Sequence, residues 1–236
     1  MELNIQKWFR LKMESRVIKN SLSNICEPAS VEIGLILRDK IRSHRLTNLS
    51  NVTEAFRGYK VENLSVNPKC LIPLIESASL EENTILQNMW AGLLASSCNK
   101  VADDDNFVYI NLLKQLTVGQ VKLINYVCEE TPKECIKGLY IGKNTILETS
   151  KLFEIMETTN LEKVDRELDN LRYLGIINGG YIYGKNPENA NITMSPLGLT
   201  LHARCNGHRG SIGNYYNIAP EDTTKKPEDV ILEVIK

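Results

Sequence analysis

The sequence is poor in the residues on which most active sites depend. It contains three histidines in 236 residues, and none stands in a pattern that suggests a Ser/His/Asp or Cys/His catalytic arrangement. No glycine-rich loop joins a strand pattern to a helix pattern, so a phosphate-binding loop is not indicated either. These absences predict that the protein is not an enzyme and that it binds no cofactor.

Metal ligands in paired turns are missing as well. None of the six cysteines belongs to a C-x-x-C pair, although structural zinc sites usually take their four ligands from such turns. The nearest approach is the trio His202, Cys205 and His208, which straddles the end of a predicted helix. This position favours an ordinary helix terminus with a buried thiol, and we predict no bound metal.

The chain also lacks long apolar runs. No stretch approaches the roughly 18–20 apolar residues that cross a bilayer, and charges interrupt the N-terminal segment too often for a secretory signal. Cysteines that fall within helical apolar patterns are more typical of free buried thiols than of disulfides. The cytoplasm is therefore the predicted compartment.

Neither sign of charge dominates the composition. Lysine and arginine number 28 against 29 acidic residues, a net charge of −1, which argues against strong non-specific binding to nucleic acid. The balance hides an asymmetry, because residues 1–60 carry 11 basic and 6 acidic side chains. A partner that prefers cations is better sought at the N-terminus.

Apolar residues at helical spacing cover the first half of the chain. They predict an amphipathic helix within residues 1–25, a helix over 29–47 that continues toward Gly58, a helix from Pro68 and a helix over 80–97. Ser79 and Glu82 have the spacing of a capping box for the last of these, whose core face includes Trp90. A further helix ends near Leu116, which defines a helical region over residues 1–116.

A different order of elements follows up to residue 206. Thr117 and Gln120 form a second capping box, a short helix follows at 146–156, and Thr159 or Asn160 caps a helix that ends at Gly175. Short apolar runs around a polar turn then predict a hairpin, whose return strand is supplied by residues 191–194, before a last helix from Pro196. Helices followed by a hairpin and a further helix are typical of a winged helix.

We therefore predict a mostly α fold. In it, the helical N-terminal region packs on a winged-helix-like (α+β) C-terminal region over residues 117–206. Residues 207–236 are rich in Gly, Asn, Pro and charge, and are predicted to be a partly disordered tail.

Two stretches together resemble a known family. Residues 71–95 read Leu-Ile-Pro-Leu-Ile-Glu-Ser-Ala-Ser-Leu-Glu-Glu and, after three residues, Leu-Gln-Asn-Met-Trp-Ala-Gly-Leu-Leu-Ala, and residues 107–116 read Phe-Val-Tyr-Ile-Asn-Leu-Leu-Lys-Gln-Leu. They resemble the abortive-infection alpha (Abi-alpha) family of bacterial and phage proteins, over about residues 28–206. The most specific pieces are Glu76, Glu81, Trp90 and the run from Ala91 to Ala95.

The resemblance implies a role in phage defence, in which an infected cell is sacrificed or arrested, and it implies no established catalytic residues. Packing and capping alone would produce the same motif, because capped apolar helices usually stabilise a fold rather than react. We therefore interpret Trp90 as a core residue. The predicted function is a non-enzymatic defence component that contacts a host or phage protein.

Two alternatives stay open at this point. The first is a DNA-binding regulator, because winged helices often place their third helix in the major groove. Against it, the residues from Glu148 to Arg172 include seven acidic and four basic side chains, which would repel phosphate. The second is action at a membrane surface through the basic amphipathic segment 3–19, although docking of that segment on the protein body is favoured because apolar stripes are usually core.

The candidate interaction residues are basic or aromatic. They are Trp8, Phe9, Lys12, Arg38, Arg42, Arg45, Arg166, Arg172 and Lys185. Arg166 is expected to pair with Glu162 four residues earlier on a solvated helix face. The sequence indicates no oligomeric state.

Overall fold

Helices dominate the part of the chain that the computed structural model describes, which comprises residues 31–61, 65–98, 104–181 and 188–219. These residues form nine helices and two small two-stranded sheets, so the prediction of a mostly α fold is confirmed. The chain divides into two units, of which the first ends at Ile110 and the second begins at Asn111. The predicted region boundaries at 116 and 206 stay a prediction.

The first unit is built from helices alone among its described residues. They are α1 (Val31–Arg57), α2 (Pro68–Ala78), α3 (Thr84–Ser97) and the first half of α4 (Phe107–Leu113), which crosses into the second unit. Helix α2 begins as predicted at Pro68, whose missing N–H has no partner in a first turn, and it continues through Pro73. Helix α3 packs against both α1 and α2.

Helix α3 forms the centre of this unit. Its buried residues run almost without interruption from Leu86 to Ser97, so the helix is enclosed on most sides rather than on one stripe. Trp90 is 2% exposed, and Leu86 and Leu94, one turn away on either side, are also buried. The prediction that Trp90 is a core residue is therefore confirmed.

The start of α3 differs from the prediction. Its N-cap is Asn83, whose side-chain oxygen accepts hydrogen bonds from the backbone N–H groups of Ile85 and Leu86. Ser79 instead follows the end of α2, where its backbone N–H bonds the carbonyl of Ile75 at 3.0 Å. The predicted capping box of Ser79 and Glu82 is therefore wrong, because asparagine caps as well as serine does and Asn83 lies next to the helix.

The second unit combines short strands with helices. After α4 come α5 (Val118–Glu130), β1 (Lys133–Ile136), β2 (Leu139–Gly142), β3 (Ile146–Glu148), α6 (Thr149–Met156), α7 (Leu161–Tyr173), β4 (Asn189–Asn191), α8 (Pro196–Cys205) and α9 (Ile212–Tyr216). Helix α5 packs against α6, α7 and α8. The long apolar side chains of this core come from all four helices and include Leu123, Leu152, Leu168 and Leu199.

Local signals at the helix ends of this unit behave as predicted. Thr117 and Gln120 form the capping box of α5, with both reciprocal hydrogen bonds present. The side chain of Asn160 accepts a hydrogen bond from the N–H of Lys163 at the start of α7. Gly175, just beyond the end of α7, has the positive φ of 71° that glycine adopts without strain.

The strands form two antiparallel pairs. β1 pairs with β2, and β3 pairs with β4. Isolated bridges also join Ile177 to Met194 and Tyr181 to Ala190, so the segment after α7 runs antiparallel to residues 190–194, as the predicted hairpin requires. The tip of that hairpin, residues 182–187, lies outside the described residues, and the assignment as a winged helix stays a prediction.

Helix α9 lies within the segment that the sequence assigns to a tail. It follows α8 closely and packs on it, and the φ of 54° at Asn217 ends it. The sequence did not predict this helix. Residues 220–236 lie outside the described residues.

Trp90 provides a test of the packing. Replacing a buried Trp by Ala costs about 3–5 kcal/mol through lost burial and the cavity left behind, a large part of the ~5–15 kcal/mol that stabilises a domain. We expect Trp90→Ala to lower the melting temperature sharply in calorimetry. The control is Tyr173→Ala, since Tyr173 is 87% exposed and its loss should change stability by about 0.5 kcal/mol or less. A Trp90→Ala protein as stable as the wild type would contradict the packing.

Candidate interaction surface

A two-residue turn organises the β1–β2 hairpin. Lys137 and Gly138 have φ values of 49° and 80°, the positive φ at both central positions that defines a type I′ turn. Glycine adopts this conformation readily, whereas lysine at φ 49° is uncommon. The turn pairs Ile136 with Leu139 and sets the register of the hairpin, Lys133 with Gly142, Glu134 with Ile141 and Cys135 with Tyr140.

One face of this hairpin covers the C-terminal helices of the unit. The side chains of Lys133, Cys135 and Tyr140 lie on this inner face, because side chains alternate along a strand. The Lys133 ammonium lies 5.0 Å from the centre of the Tyr216 ring. A side chain at Gly213 would overlap the Tyr140 hydroxyl, so glycine is needed for α9 to lie this close to the hairpin.

The other face of the hairpin is mainly apolar, and its two residues next to the turn are exposed. We call the outer face Glu134, Ile136, Leu139 and Ile141, which share it by the same alternation. Ile136 is 43% exposed and Leu139 is 61% exposed. Glu134 and Ile141 beside them are half-buried. Antiparallel sheets with one covered face usually present polar side chains on the other, so two neighbouring exposed aliphatic side chains are unusual here.

Helix α7 carries a second exposed region. Tyr173 at its C-terminus is 87% exposed and Leu161 at its start is 36% exposed. Between them, Arg172 pairs with Asp169 at 2.7 Å, whereas Arg166 is exposed. The predicted pair of Arg166 with Glu162 does not form in the structure, and both side chains are exposed.

The acidic character of α7 is partly internal. Glu167 is only 9% exposed, and the Thr117 hydroxyl donates a hydrogen bond to its carboxylate. Gln120 donates from its side-chain amide to the backbone carbonyl of Glu167 and to the side chain of Asn170, both at 2.9 Å. This carboxylate therefore joins α7 to the start of α5 and does not contribute to the charge that a partner meets.

The basic candidates of the first unit lie along one side of α1. Arg38, Arg42 and Arg45 follow i, i+4, i+7 spacing, which places them on one helix face. Arg42 is exposed and Arg38 lies 3.4 Å from Asp39. Arg45 is half-buried and donates a hydrogen bond to the Ser79 hydroxyl at 2.8 Å, so its role in this unit is structural.

Four of the candidates lie outside the described residues, namely Trp8, Phe9, Lys12 and Lys185. The predicted amphipathic helix of residues 1–25 lies outside them as well. Among the residues that the structure describes, no helix is long and apolar enough to cross a membrane.

Comparison with known families decides the membership of this chain. The model of the abortive infection alpha family matches residues 38–195, about two thirds of the sequence. The chain belongs to the abortive infection alpha family. No curated protein and no solved structure matches it.

The family match covers only part of the second unit. It includes Trp90 in the first unit, and in the second it includes the whole β1–β2 hairpin and α7. It ends at Ser195, whose side chain caps α8. Helices α8 and α9 therefore lie beyond the part of the chain that identifies an abortive infection alpha protein.

A cluster of buried polar side chains lies in that C-terminal part of the chain. His202 is 2% exposed, and its Nδ1 lies 2.8 Å from the Tyr216 hydroxyl, which donates to the carbonyl of Leu199 at 3.2 Å. Burial lowers the pKa of His202 to about 4, and the positive charge of Lys133 adds to this shift. The ring is therefore neutral near pH 7 and serves as a hydrogen-bonding core residue.

The cysteines near this cluster are equally shielded. Burial raises the pKa of the Cys128 thiol to about 12 and also raises the pKa of Cys205. A thiol is a weak nucleophile until it ionises, so neither side chain is activated. His208, the third member of the trio noted in the sequence, has its Nε2 3.0 Å from the carbonyl oxygen of Ser211.

The pKa of His202 predicts how acid affects stability. Because its folded-state pKa of about 4 lies below the ordinary value of 6.5, the unfolded chain binds the proton first. The contribution of the neutral ring is therefore complete above pH 6.5 and is lost as the pH falls toward 4, by about 3 kcal/mol. We expect the free energy of unfolding, measured in urea, to fall more steeply over this range for the wild type than for His202→Asn.

A half-buried histidine nearby, His208, supplies the control. His208→Asn also removes an imidazole but leaves His202 in place, so this variant should retain the steep fall in stability that His202 causes. If His202→Asn and the wild type show the same slope between pH 6.5 and 4, His202 is not buried as described.

Proposed function

We propose that this protein is a cytoplasmic component of phage defence that acts by contacting another protein, from the host or the phage, and not by catalysis. Membership of the abortive infection alpha family supports the setting. The observation that carries the proposed mode of action is the outer face of the β1–β2 hairpin, with Leu139 61% exposed and Ile136 43% exposed.

The outer face suits a protein contact for energetic reasons. Transfer of apolar surface from water contributes roughly 25 cal/mol per Å², and a small number of well-placed apolar side chains carries most of the energy of a typical interface. The type I′ turn fixes Ile136 and Leu139 side by side, so little conformational entropy is lost when a partner covers them.

The environment of the reactive groups supports a role without catalysis. Catalytic acids, bases and nucleophiles need pKa values close to the working pH. In contrast, burial raises the pKa of Cys128 to about 12 and lowers that of His202 to about 4. Burial also raises the pKa of Tyr216, whose hydroxyl already bonds Leu199.

The charges of α7 favour a protein over DNA as the partner. Binding to a phosphate backbone needs cations that are not already compensated. Arg172 is engaged by Asp169, and Arg166 stands on the same exposed surface as Glu162. Tyr173, 87% exposed beside these mixed charges, is a residue type that is enriched in protein interfaces.

The state of the cysteines supports the proposed compartment. The five cysteines of the described ranges form no disulfide with one another, and four of them are buried. Thiols persist in this form in reducing compartments such as the bacterial cytoplasm.

Phage plating tests the proposal. Cells that produce the wild-type protein should give fewer plaques than cells without it, and Leu139→Ser should restore plaque formation. Removing an apolar contact at the centre of an interface costs about 2 kcal/mol, about 30-fold in affinity. Leu80→Ser is the matched control, because Leu80 is also exposed, at 68%, but lies in the other unit.

Two results would contradict the proposal. The first is full protection by Leu139→Ser together with loss of protection in a folded His202→Asn protein, which would indicate chemistry at the buried cluster. The second is tight, salt-sensitive binding of the wild type to mixed DNA duplexes in fluorescence anisotropy at physiological salt, which would indicate a DNA-binding regulator.

A further inference from the structure

An apolar segment follows the described part of the second unit. Residues 230–235 read Val-Ile-Leu-Glu-Val-Ile, so five of these six side chains are aliphatic. Contiguous apolar surface is unfavourable in water and usually marks a contact. The ten residues before this segment are different, because six of them are charged and two are proline. We call residues 230–235 the aliphatic run and residues 220–229 the polar stretch.

The described chain ends close to the β1–β2 hairpin. Helix α9 lies against the inner face of the hairpin, where the centre of the Tyr216 ring is 5.0 Å from the Lys133 ammonium. Ile218 stays with this helix, because its N–H donates to the carbonyl of Gly213 at 2.8 Å. Ala219 follows directly, and three residues span at most about 11 Å. The polar stretch therefore begins beside the hairpin.

The polar stretch is long enough to bring the aliphatic run to the opposite face of the hairpin. The strands have four residues each. Such a strand is about 13 Å long and packed layers lie about 10 Å apart, so a path around the hairpin from the inner to the outer face is roughly 20 Å. Ten extended residues span at most about 33 Å. The outer face therefore lies within reach of the aliphatic run.

The outer face offers matching chemistry. Ile136 and Leu139 are register partners and are 43% and 61% exposed, so they form a pair of neighbouring aliphatic side chains. Glu134 and Ile141 beside them are half-buried. Aliphatic side chains laid over the pair would remove apolar surface of both from water, which is favourable in proportion to the area covered. This contact requires no complementary charge.

A second copy of the chain is a weaker occupant of this face. Stable homodimers bury about 800 Å² or more on each subunit, whereas the pair consists of two side chains that are already partly buried. A tethered segment needs no comparable area, because a short linker holds it at an effective concentration in the millimolar range. At that concentration, a contact with a dissociation constant of about 0.1 mM is mostly formed.

We propose that residues 230–235 fold back onto the outer face of the β1–β2 hairpin and shield Ile136 and Leu139 until another protein displaces them. The displacement by a partner rests on the proposed function, whereas the shielding itself does not. A partner must compete with the tethered run, so it binds the shielded face about tenfold more weakly than the bare face for a run with the dissociation constant given above.

A tail variant removes the aliphatic character of the run without shortening the chain. It combines Ile231→Ser, Leu232→Ser and Val234→Ser. The matched control changes the polar stretch instead and combines Thr223→Ala with Thr224→Ala. All proteins are full-length, and their melting temperatures are compared first, so that a loss of folding is recognised.

Methyl NMR of these proteins tests the contact. The tail variant should shift the resonances of Ile136 and Leu139, whereas the control should keep the wild-type positions. The methyl resonances of Leu80, which lies in the other unit, should be the same in all three proteins. Unchanged positions of Ile136 and Leu139 in the tail variant would overturn the proposal, because the run would then not cover them.

A peptide added in trans gives a second, independent measurement. The probe is a synthetic peptide of residues 226–236, titrated into the full-length proteins and followed by the same methyl resonances. We expect saturable binding to the tail variant and at least about tenfold weaker binding to the wild type, whose own run occupies the face. Adding Leu139→Ser to the tail variant should also weaken binding at least about tenfold.

Several results of this titration would overturn the proposal. They are absence of binding, equal binding to the wild type and the tail variant, and binding that Leu139→Ser leaves unchanged. Shifts confined to residues outside the hairpin would assign the run to another surface, with the same consequence. A dimer in light scattering that the tail variant abolishes would assign the run to a second copy and would also overturn the proposal.

Plating separates this proposal from the proposed function. If the wild type does not reduce plaque numbers, the proposed function fails, and the NMR measurements on the purified proteins alone decide the shielding. If the wild type protects and Leu139→Ser does not, but the tail variant leaves Ile136 and Leu139 unshifted, the proposed function stands and the shielding does not. Protection by the wild type together with the expected shifts supports both.

Discussion

A buried hydrogen-bond network joins the helices of the second unit. Thr117 starts α5 by capping it, and the same hydroxyl donates to the carboxylate of Glu167 on α7. Gln120, the other half of the capping box, also reaches α7, where it donates to the backbone carbonyl of Glu167. Partly satisfied buried networks are costly, so α5 and α7 keep the relative position that satisfies this one.

This network decides what α7 presents to solvent. The helix turns Val164, Leu168 and Leu171 into the core, and Glu167 follows them because its carboxylate is held by Thr117. One acidic side chain of α7 is thus buried, and Tyr173 is exposed at the end of the helix. Counting charges along the sequence therefore overestimates the repulsion that α7 exerts on phosphate.

The hairpin shows how one covered face leaves its opposite exposed. Lys133 and Tyr140 pack toward α9, where Gly213 leaves room for the Tyr140 ring. Since side chains alternate along a strand, this arrangement obliges Ile136 and Leu139 to face solvent. A slip of one residue would reverse the two faces, but the type I′ turn at Lys137 and Gly138 prevents it. The exposed aliphatic surface is thus held in place by the inner packing.

Local sequence signals determined much of the helical framework. Helices that carry their own start and stop residues, such as α5 with Thr117 and α7 with Asn160 and Gly175, could be predicted because capping is settled within a few residues. Local signals did not decide between two candidates for the N-cap of α3. Ser79 and Asn83 are both good capping residues, and Ser79 is excluded only because it lies at the end of α2. Family membership, too, follows from the sequence alone.

Tertiary structure alone decided the surface. The pair of Ile136 and Leu139 looks like any core pair in sequence, and the β1–β2 hairpin that exposes it was not predicted. Helix α9 lacks a side-chain cap and has five residues, too few to be stable without packing, so its existence depends on contacts made from residues distant in the chain. Exposure depends on which elements meet, and no local pattern records that.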